Sequence, residues 1–327
     1  MNNAMIADIT DSLDLDGAAP DWCRVFADAI AEGENLAAMD IPPRPSLLGE
    51  WFKEADLGMI FAARGVGKTR LSIPMAHALA EGKPLGEWRA GDLGQVKVLY
   101  VDGEMNLPDS VERERQAETL GFRSDSVTFL HHEQLREGRS LNLADPEQQE
   151  ALLLSAKRIE AKVVFLDNLS CLFRGVDEND NDAWEKVVPW LMRFRRAGIA
   201  VVIVHHAGRN GEARGASRRE DAAHWVLKLE SDGGGGDKTS LTSYFTKCRN
   251  CTQGKAPSLR WEIADNELRC EAGDFAEDVI DAVRSGYTTS SEIAELVSCS
   301  ASRVSKTAKR LIDSGRLKKN GRSYALP

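Results

Sequence analysis

The stretch GMIFAARGVGKTRLSIPMAHALA, residues 58–80, holds three patterns in immediate succession. An apolar run leads into a glycine-bearing loop, and the loop opens an apolar helix. Backbone N–H groups of such a loop point inward at a chain of phosphates, and the helix that follows turns its positive end toward them. Arg64, Gly65, Val66, Gly67, Lys68, Thr69 and Arg70 are therefore the candidate nucleotide-contacting residues. Lys68 is placed to neutralise the terminal phosphate oxygens, and the Thr69 hydroxyl to ligate Mg²⁺. One position departs from the usual pattern: Ala62 stands where the motif begins with glycine. Alanine is tolerated there provided its backbone stays out of the left-handed region.

Working outward, GMIFAA, KVLYVDG, SVTFLH, KVVFLDNLS and AVVIVHH read as short strands. Amphipathic helices starting near Thr69, Pro108, Pro146 and Asp182 alternate with them. Strands separated by helices imply a parallel α/β sheet, which binds its ligands at the carboxyl ends of the strands. Asp167 ends one such run and is the candidate Mg²⁺ acid beside Thr69, with helix or turn capping as the alternative. Asp102 and Glu104 end another and are placed on one face; Glu104 is the candidate base that orients water, against a solvated acidic turn.

Beyond His206 the chain turns polar and rich in Gly and Arg, where Arg209 and Arg214 suit a loop that orders on a phosphate backbone or a plain surface loop. HWVLKLE and SLTSYFTK, joined by GGGGD, and the hairpin WEIADNELRCE turning at Asp265-Asn266 predict antiparallel strands at one edge. Cys248 and Cys251 form a Cys-x-x-Cys, but no second paired spacing supplies the other ligands of a zinc site.

The last segment, 274–327, reads as three short helices and a ribbon, a small winged-helix-like domain. Arg303, Lys306, Lys309, Arg310, Arg316, Lys318, Lys319 and Arg322 face only Asp313 in charge. Arg303, Lys306, Lys318 and Lys319 are the candidate DNA contacts, and a protein-docking role fits the same pattern. Residues 1–47 read as an acidic arm and proline-bearing linker, with a short helix over Asp21–Ala31, and 48–273 as the core.

The chain has 327 residues, 42% hydrophobic and 28% charged, which excludes disorder as a whole, and its net charge of −9 disfavours a surface coated in nucleic acid while leaving room for a local basic patch. Its start is acidic where a signal peptide is basic, and no apolar run is long enough to span a bilayer, so a cytoplasmic protein without disulfides or membrane contact is expected.

From Leu57 to Glu271 the order of AARGVGKT, YVDGEM, VVFLDNLS and VIVHH resembles RecA-like ATPases, and most closely the RepA-like hexameric helicases of plasmids, with more distant kinship to DnaB-type helicases. The resemblance implies ATP and Mg²⁺ as cofactors and a ring, of six subunits in that family, that pulls single-stranded DNA through a channel lined near Arg209 and Arg214. It also implies that His205 or His206 senses the terminal phosphate; alternation along a strand allows only one of them to face it. Lys247 and Arg249 in KCRN resemble the element that ring helicases insert into the neighbouring subunit's site, with charge on an edge strand as the alternative. A DNA-remodelling ATPase without unwinding, or an ATP-switched DNA-binding regulator, would share these motifs.

Overall fold

The computed structural model describes residues 25–26, 29–30, 32–175, 181–206, 220–232, 238–251, 255–273, 275–296 and 301–327. It divides into two compact units, Met1–Pro43 and Arg44–Pro327. In the first, α1 (Gly33–Ala37) is a single short helix. The helix expected over Asp21–Ala31 falls largely outside the described residues.

The second unit begins with a hairpin, β1 (Ser46–Leu48) and β2 (Phe52–Lys53). A nine-stranded sheet follows, built from β3 (Leu57–Ala62), β4 (Val98–Asp102), β5 (Val127–His131), β6 (Val163–Asp167), β7 (Ala200–His206), β8 (Trp225–Ser231), β9 (Thr239–Cys248), β10 (Ser258–Ala264) and β11 (Glu267–Gly273). Its order is β11-β10-β9-β8-β3-β7-β6-β4-β5. The strands from β8 to β5 are parallel, and β9, β10 and β11 add antiparallel pairs at one edge, as the sequence predicts.

Every residue of β3, β4 and β6 is buried, which a sheet covered on both faces requires. Alternation along those strands feeds two separate cores. Ile60, Val98, Tyr100, Val163, Phe165 and Val202 pack with α2 (Lys68–Glu81) and α3 (Leu107–Thr119) on one face. Met59, Leu99, Val101, Val164, Leu166 and Ile203 pack with α4 (Pro146–Arg158), α5 (Leu169–Leu172) and α6 (Asn181–Arg196) on the other. The first core extends into an aromatic cluster that the periodicity does not predict, in which Trp51 meets Phe52, Trp88, Trp225 and Phe245 at centroid distances of 4.8–5.6 Å.

The C-terminal segment has α7 (Phe275–Arg284), α8 (Ser290–Leu296), α9 (Ala301–Asp313) and the ribbon β12 (Lys318–Asn320) with β13 (Ser323–Ala325). Thr289 caps α8 through a reciprocal box: its hydroxyl accepts from Glu292 N at 3.3 Å while Glu292 Oε2 accepts from Thr289 N at 2.9 Å. Val279, Ile280, Ile293, Val304, Ala308 and Leu311 form a core of their own. Leu296, on the adjacent helix α8, is exposed.

The segment also holds to the sheet. Arg303 was expected to meet DNA; instead it lies between the rings of Tyr244 and Phe275, 3.9 and 3.8 Å from their centroids, and pairs with Glu230 at 3.2 Å. It is 9% exposed. On a helix its neighbours at i+1, i+4 and i+5 are Val304, Thr307 and Ala308, so Arg303 shares their inward stripe rather than the outward one. Lys306, Lys318 and Lys319 are exposed, as are Lys309, Arg310, Arg316 and Arg322.

Candidate active site

The carboxyl ends of β3, β4, β6 and β7 bring the phosphate loop, Glu104, Asp167 and His206 to one edge of the sheet. The loop leaves β3 at Ala62, which is not among the residues with positive φ, so alanine costs nothing there. Gly65 and Gly67 take φ of +78° and +104°, where a side chain would be strained. A Cβ on Gly67 would also lie 2.7 Å from Thr239 Cγ2 of β9. The tight turn and the close strand together fix glycine at that position.

Lys68, the first residue of α2, is folded back over the loop. Its ammonium donates to Ala62 O at 3.3 Å, Ala63 O at 3.1 Å and His206 Nδ1 at 2.8 Å. Burial pulls its pKa down, opposed by the charges of Asp167 and Glu104. Arg70, one residue past Thr69, donates to Thr239 Oγ1 at 3.2 Å and lines a small cleft beside Thr69 with Arg113, Gln116 and Ile263.

Asp167 is buried at the end of β6. Its Oδ2 accepts from Thr69 Oγ1 at 3.1 Å and Tyr100 OH at 2.6 Å, and Tyr100 in turn meets Ser72 Oγ at 2.8 Å. Oδ1 is buried without a hydrogen-bond partner among the described residues. Burial outweighs the two donated hydrogen bonds and pushes the carboxyl up to about 6. An orphaned carboxylate oxygen beside a threonine hydroxyl fits a hard divalent cation, which favours oxygen ligands. Among the described residues no cluster of His, Cys, Asp and Glu could enclose a metal unaided. Mg²⁺ binds through one or two protein oxygens plus phosphates and water, a protein share that Thr69 and Asp167 can supply. Thr69 and Asp167 would hold it, and bound there it would supply positive charge against the phosphate oxygens.

Asp102 and Glu104 do not act as a pair on one face, because the strand ends at Asp102 and the chain turns. Asp102 Oδ1 accepts from the backbone N–H of Glu104 and of Met105, each at 3.0 Å, and Oδ2 accepts from Ser110 Oγ at 2.9 Å. His131 meets the same Ser110 hydroxyl at 3.0 Å. Asp102 thus builds the turn, and Glu104 is what the turn presents. The Glu104 carboxylate accepts from Asn168 Nδ2 and lies 3.4 Å from His206 Nε2. His206 holds its pKa below the ordinary glutamate value against the opposing effect of burial.

His206 is the histidine in the site, half-buried, joining Lys68 on one ring nitrogen to Glu104 and Asn168 on the other. With Nδ1 accepting from the lysine ammonium, Nε2 is left to donate to Glu104, and Asn168 Nδ2, itself a donor to Glu104, is then a neighbour of the ring rather than its hydrogen-bond partner. His205 points to the opposite face and is fully buried, as alternation demands.

Lys247 and Arg249 are not in this cluster. Lys247 pairs with Val226 across β8, Trp225 pairs with Gly58 at the start of β3, and the loop lies at that strand's other end. Lys247 donates to Glu220 O and, at 3.2 Å, to Asp221 O; Arg249 donates to Asp221 O at 3.0 Å. Burial lowers the Lys247 pKa. Arg209 and Arg214 lie outside the described residues. Asn168, Tyr100 and the Ser110–His131 support belong to the site although sequence reasoning missed them. Asn168 directly follows the acid, and Tyr100 is the one polar group inside an apolar strand, which is the signal that could have found each.

Residues 27–212 match the AAA domain family AAA_25, more than half of the chain. No curated protein matches it. Among solved structures, the fold is similar to the KaiC-like protein PH0186 of Pyrococcus horikoshii OT3 at a TM-score of 0.50 and 16% identity, over 67% of this chain and 91% of that one. No helix among the described residues is long and apolar enough to cross a membrane. With the phosphate loop, the strand-end acid and this sheet order in place, the chain belongs to the AAA_25 family of AAA domains and is a RecA-like P-loop ATPase.

Proposed function

We propose that this ATPase works on DNA as a ring of identical subunits, and that it is a RepA-like replicative helicase drawing single-stranded DNA. The observation that carries the reading is the placing of Lys247 and Arg249 at the end of the sheet away from their own phosphate loop. The offset along β3 alone, from Gly58 to Ala62, is roughly 13 Å at the rise of a strand. Neither cation reaches its own nucleotide, so a role at the transferring phosphate requires a neighbouring copy. An arginine supplied in that way stabilises transition-state charge and is worth roughly 10³–10⁵ in rate.

In the resulting cycle, Lys68 and the loop N–H groups bind the triphosphate, Glu104 orients the attacking water, and His206 links the two through its ring nitrogens. The exposed cations Lys306, Lys309, Lys318, Lys319 and Arg322, carried on a winged-helix-like segment in an otherwise acidic chain, suit contact with a phosphate backbone. Hydrolysis stimulated by single-stranded DNA together with displacement of a paired strand, both lost in Lys68→Ala, is the expected result. Stimulated hydrolysis with no displacement would replace the helicase with a remodelling ATPase.

A further inference from the structure

The segment KCRNC, residues 247–251, interleaves two thiols with the cationic pair. At the end of β9 the chain turns, and the turn brings Cys248 Sγ and Cys251 Sγ to 3.5 Å. Both are reduced and partly accessible, and both pack against the edge of the aromatic core. No third ligand accompanies them among the described residues, which leaves metal binding without support.

Arg249 lies between the two sulfurs in the chain, and its neighbours are firmly tied. Arg249 N donates to His224 O at 2.9 Å. Asn250 Nδ2 donates to Trp51 O at 2.7 Å and to Asp56 Oδ2 at 2.5 Å, and Asn250 Oδ1 accepts from Arg44 at 3.1 Å. A disulfide has an S–S length of about 2.05 Å, so forming one here draws the sulfurs together by roughly 1.5 Å across a four-residue turn anchored on both sides. What the cysteine side chains do not take up by rotation falls on Arg249, whose side chain is held among the described residues by one hydrogen bond, to Asp221 O.

We propose that Cys248 and Cys251 are a reversible disulfide site, closed by exchange with a low-molecular-weight disulfide such as glutathione disulfide, and that closure changes how Arg249 is presented. The chemistry balances without another reagent. The Cys248 thiolate attacks one sulfur of glutathione disulfide, forming a mixed disulfide and releasing one glutathione thiolate. Cys251, deprotonated in turn, attacks Cys248 Sγ and releases the second. The two protein thiols are oxidised, one disulfide is reduced to two thiols, and the two protons end on glutathione. Burial and the adjacent sulfur raise the Cys251 pKa, which slows the second attack, and the 3.5 Å approach of its sulfur to Cys248 Sγ is what favours that step.

The consequence for hydrolysis rests on the reading of Arg249 as a group donated to a neighbour, while the disulfide itself does not. The full-length protein is incubated with glutathione disulfide, remaining thiols are alkylated, and the peptide carrying both cysteines is weighed. The expected peptide is unalkylated and lighter by two hydrogens, reverts with dithiothreitol, and persists in Cys171→Ser and Cys270→Ser. Recovery of both residues alkylated, or of a lasting glutathione adduct on either, would overturn the site. Hydrolysis by oxidised protein should differ several-fold from that of reduced protein and become insensitive in Cys248→Ser. Equal rates in a protein that loses hydrolysis on Arg249→Ala would overturn the coupling to Arg249. Full hydrolysis by Arg249→Ala would instead strike the donated-arginine reading, with the peptide mass still deciding the disulfide.

Discussion

Tyr100 donates its hydroxyl to Asp167 Oδ2 at 2.6 Å inside a wholly buried pair, and the same carboxylate oxygen receives Thr69. The tyrosine pKa is pushed well above its ordinary value by burial and by the carboxylate, so the phenol remains a donor throughout the physiological range. Removing it in Tyr100→Phe takes away a hydrogen bond that favours the ionised acid. Asp167 then titrates above its present value of about 6, and the acid limb of the Mg²⁺-dependent hydrolysis profile should move toward neutrality. A profile of kcat/KM against pH for the two proteins checks this.

Asp167 also makes the metal-free fold sensitive to pH. Its folded pKa of about 6 lies above the reference value of 3.8, so the native state binds the proton more tightly than the unfolded one. Stability from this group therefore falls as pH rises from 3.8 to about 6 and is flat above. The difference between the two states corresponds to about 3 kcal/mol as an upper bound. In chelator, Asp167→Asn should lose this slope and resist urea better than wild type at pH 7, whereas added Mg²⁺ should stabilise only the wild type.

Glu104→Gln keeps the side chain's shape and its reach to Asn168 while abolishing the base. Nucleotide binding should survive, and hydrolysis should fall on the order of 10²–10⁴-fold. Equilibrium binding of a fluorescent ATP analogue, beside single-turnover phosphate release, separates the two effects.

For the shared site, Arg249→Ala and Lys68→Ala proteins are each expected to be inactive. Mixed under conditions of subunit exchange, they assemble some junctions with an intact loop on one side and an intact arginine on the other. Partial recovery of hydrolysis is the expected result, and none after demonstrated exchange would count against a donated arginine.

Arg303→Ala is expected to loosen the C-terminal helices rather than weaken DNA contact. It leaves Glu230 half-satisfied between Tyr244 and Lys228 and removes a guanidinium packed between two rings. Breaking a buried pair costs about 3–5 kcal/mol, so limited proteolysis should release the segment more readily. Lys306→Ala, Lys318→Ala and Lys319→Ala should instead leave proteolysis unchanged and reduce the salt dependence of DNA binding.

The strands were legible because burial on both faces of a parallel sheet writes long apolar runs, and the phosphate loop because glycine, lysine and threonine each answer a separate geometric or chemical demand. Asp167 was readable from its place at the end of VVFLD. The shared face expected of Asp102 and Glu104 failed because the strand ends at Asp102, whose carboxylate turns back to accept the N–H groups of Glu104 and Met105. Arg303 was misjudged for a different reason. A positive residue on an amphipathic helix is assigned outward by default, and only the facing Tyr244, Phe275 and Glu230, the first and last far away in the chain, make an inward guanidinium favourable. The aromatic cluster around Trp51 escaped for want of any local period, since its members come from four separate stretches.

Lys68 is met on all sides by acceptors that the protein itself provides: two carbonyls of its own loop and a ring nitrogen of His206. An incoming anion must therefore outcompete three ready-made partners before it gains the ammonium. A lone orthophosphate gains little from that exchange, whereas a polyphosphate chain that simultaneously engages the loop amides gains enough to win. Freeing Nδ1 of His206 is then the first thing the protein feels, and it is felt at a ring whose other edge already rests on the water-orienting carboxylate.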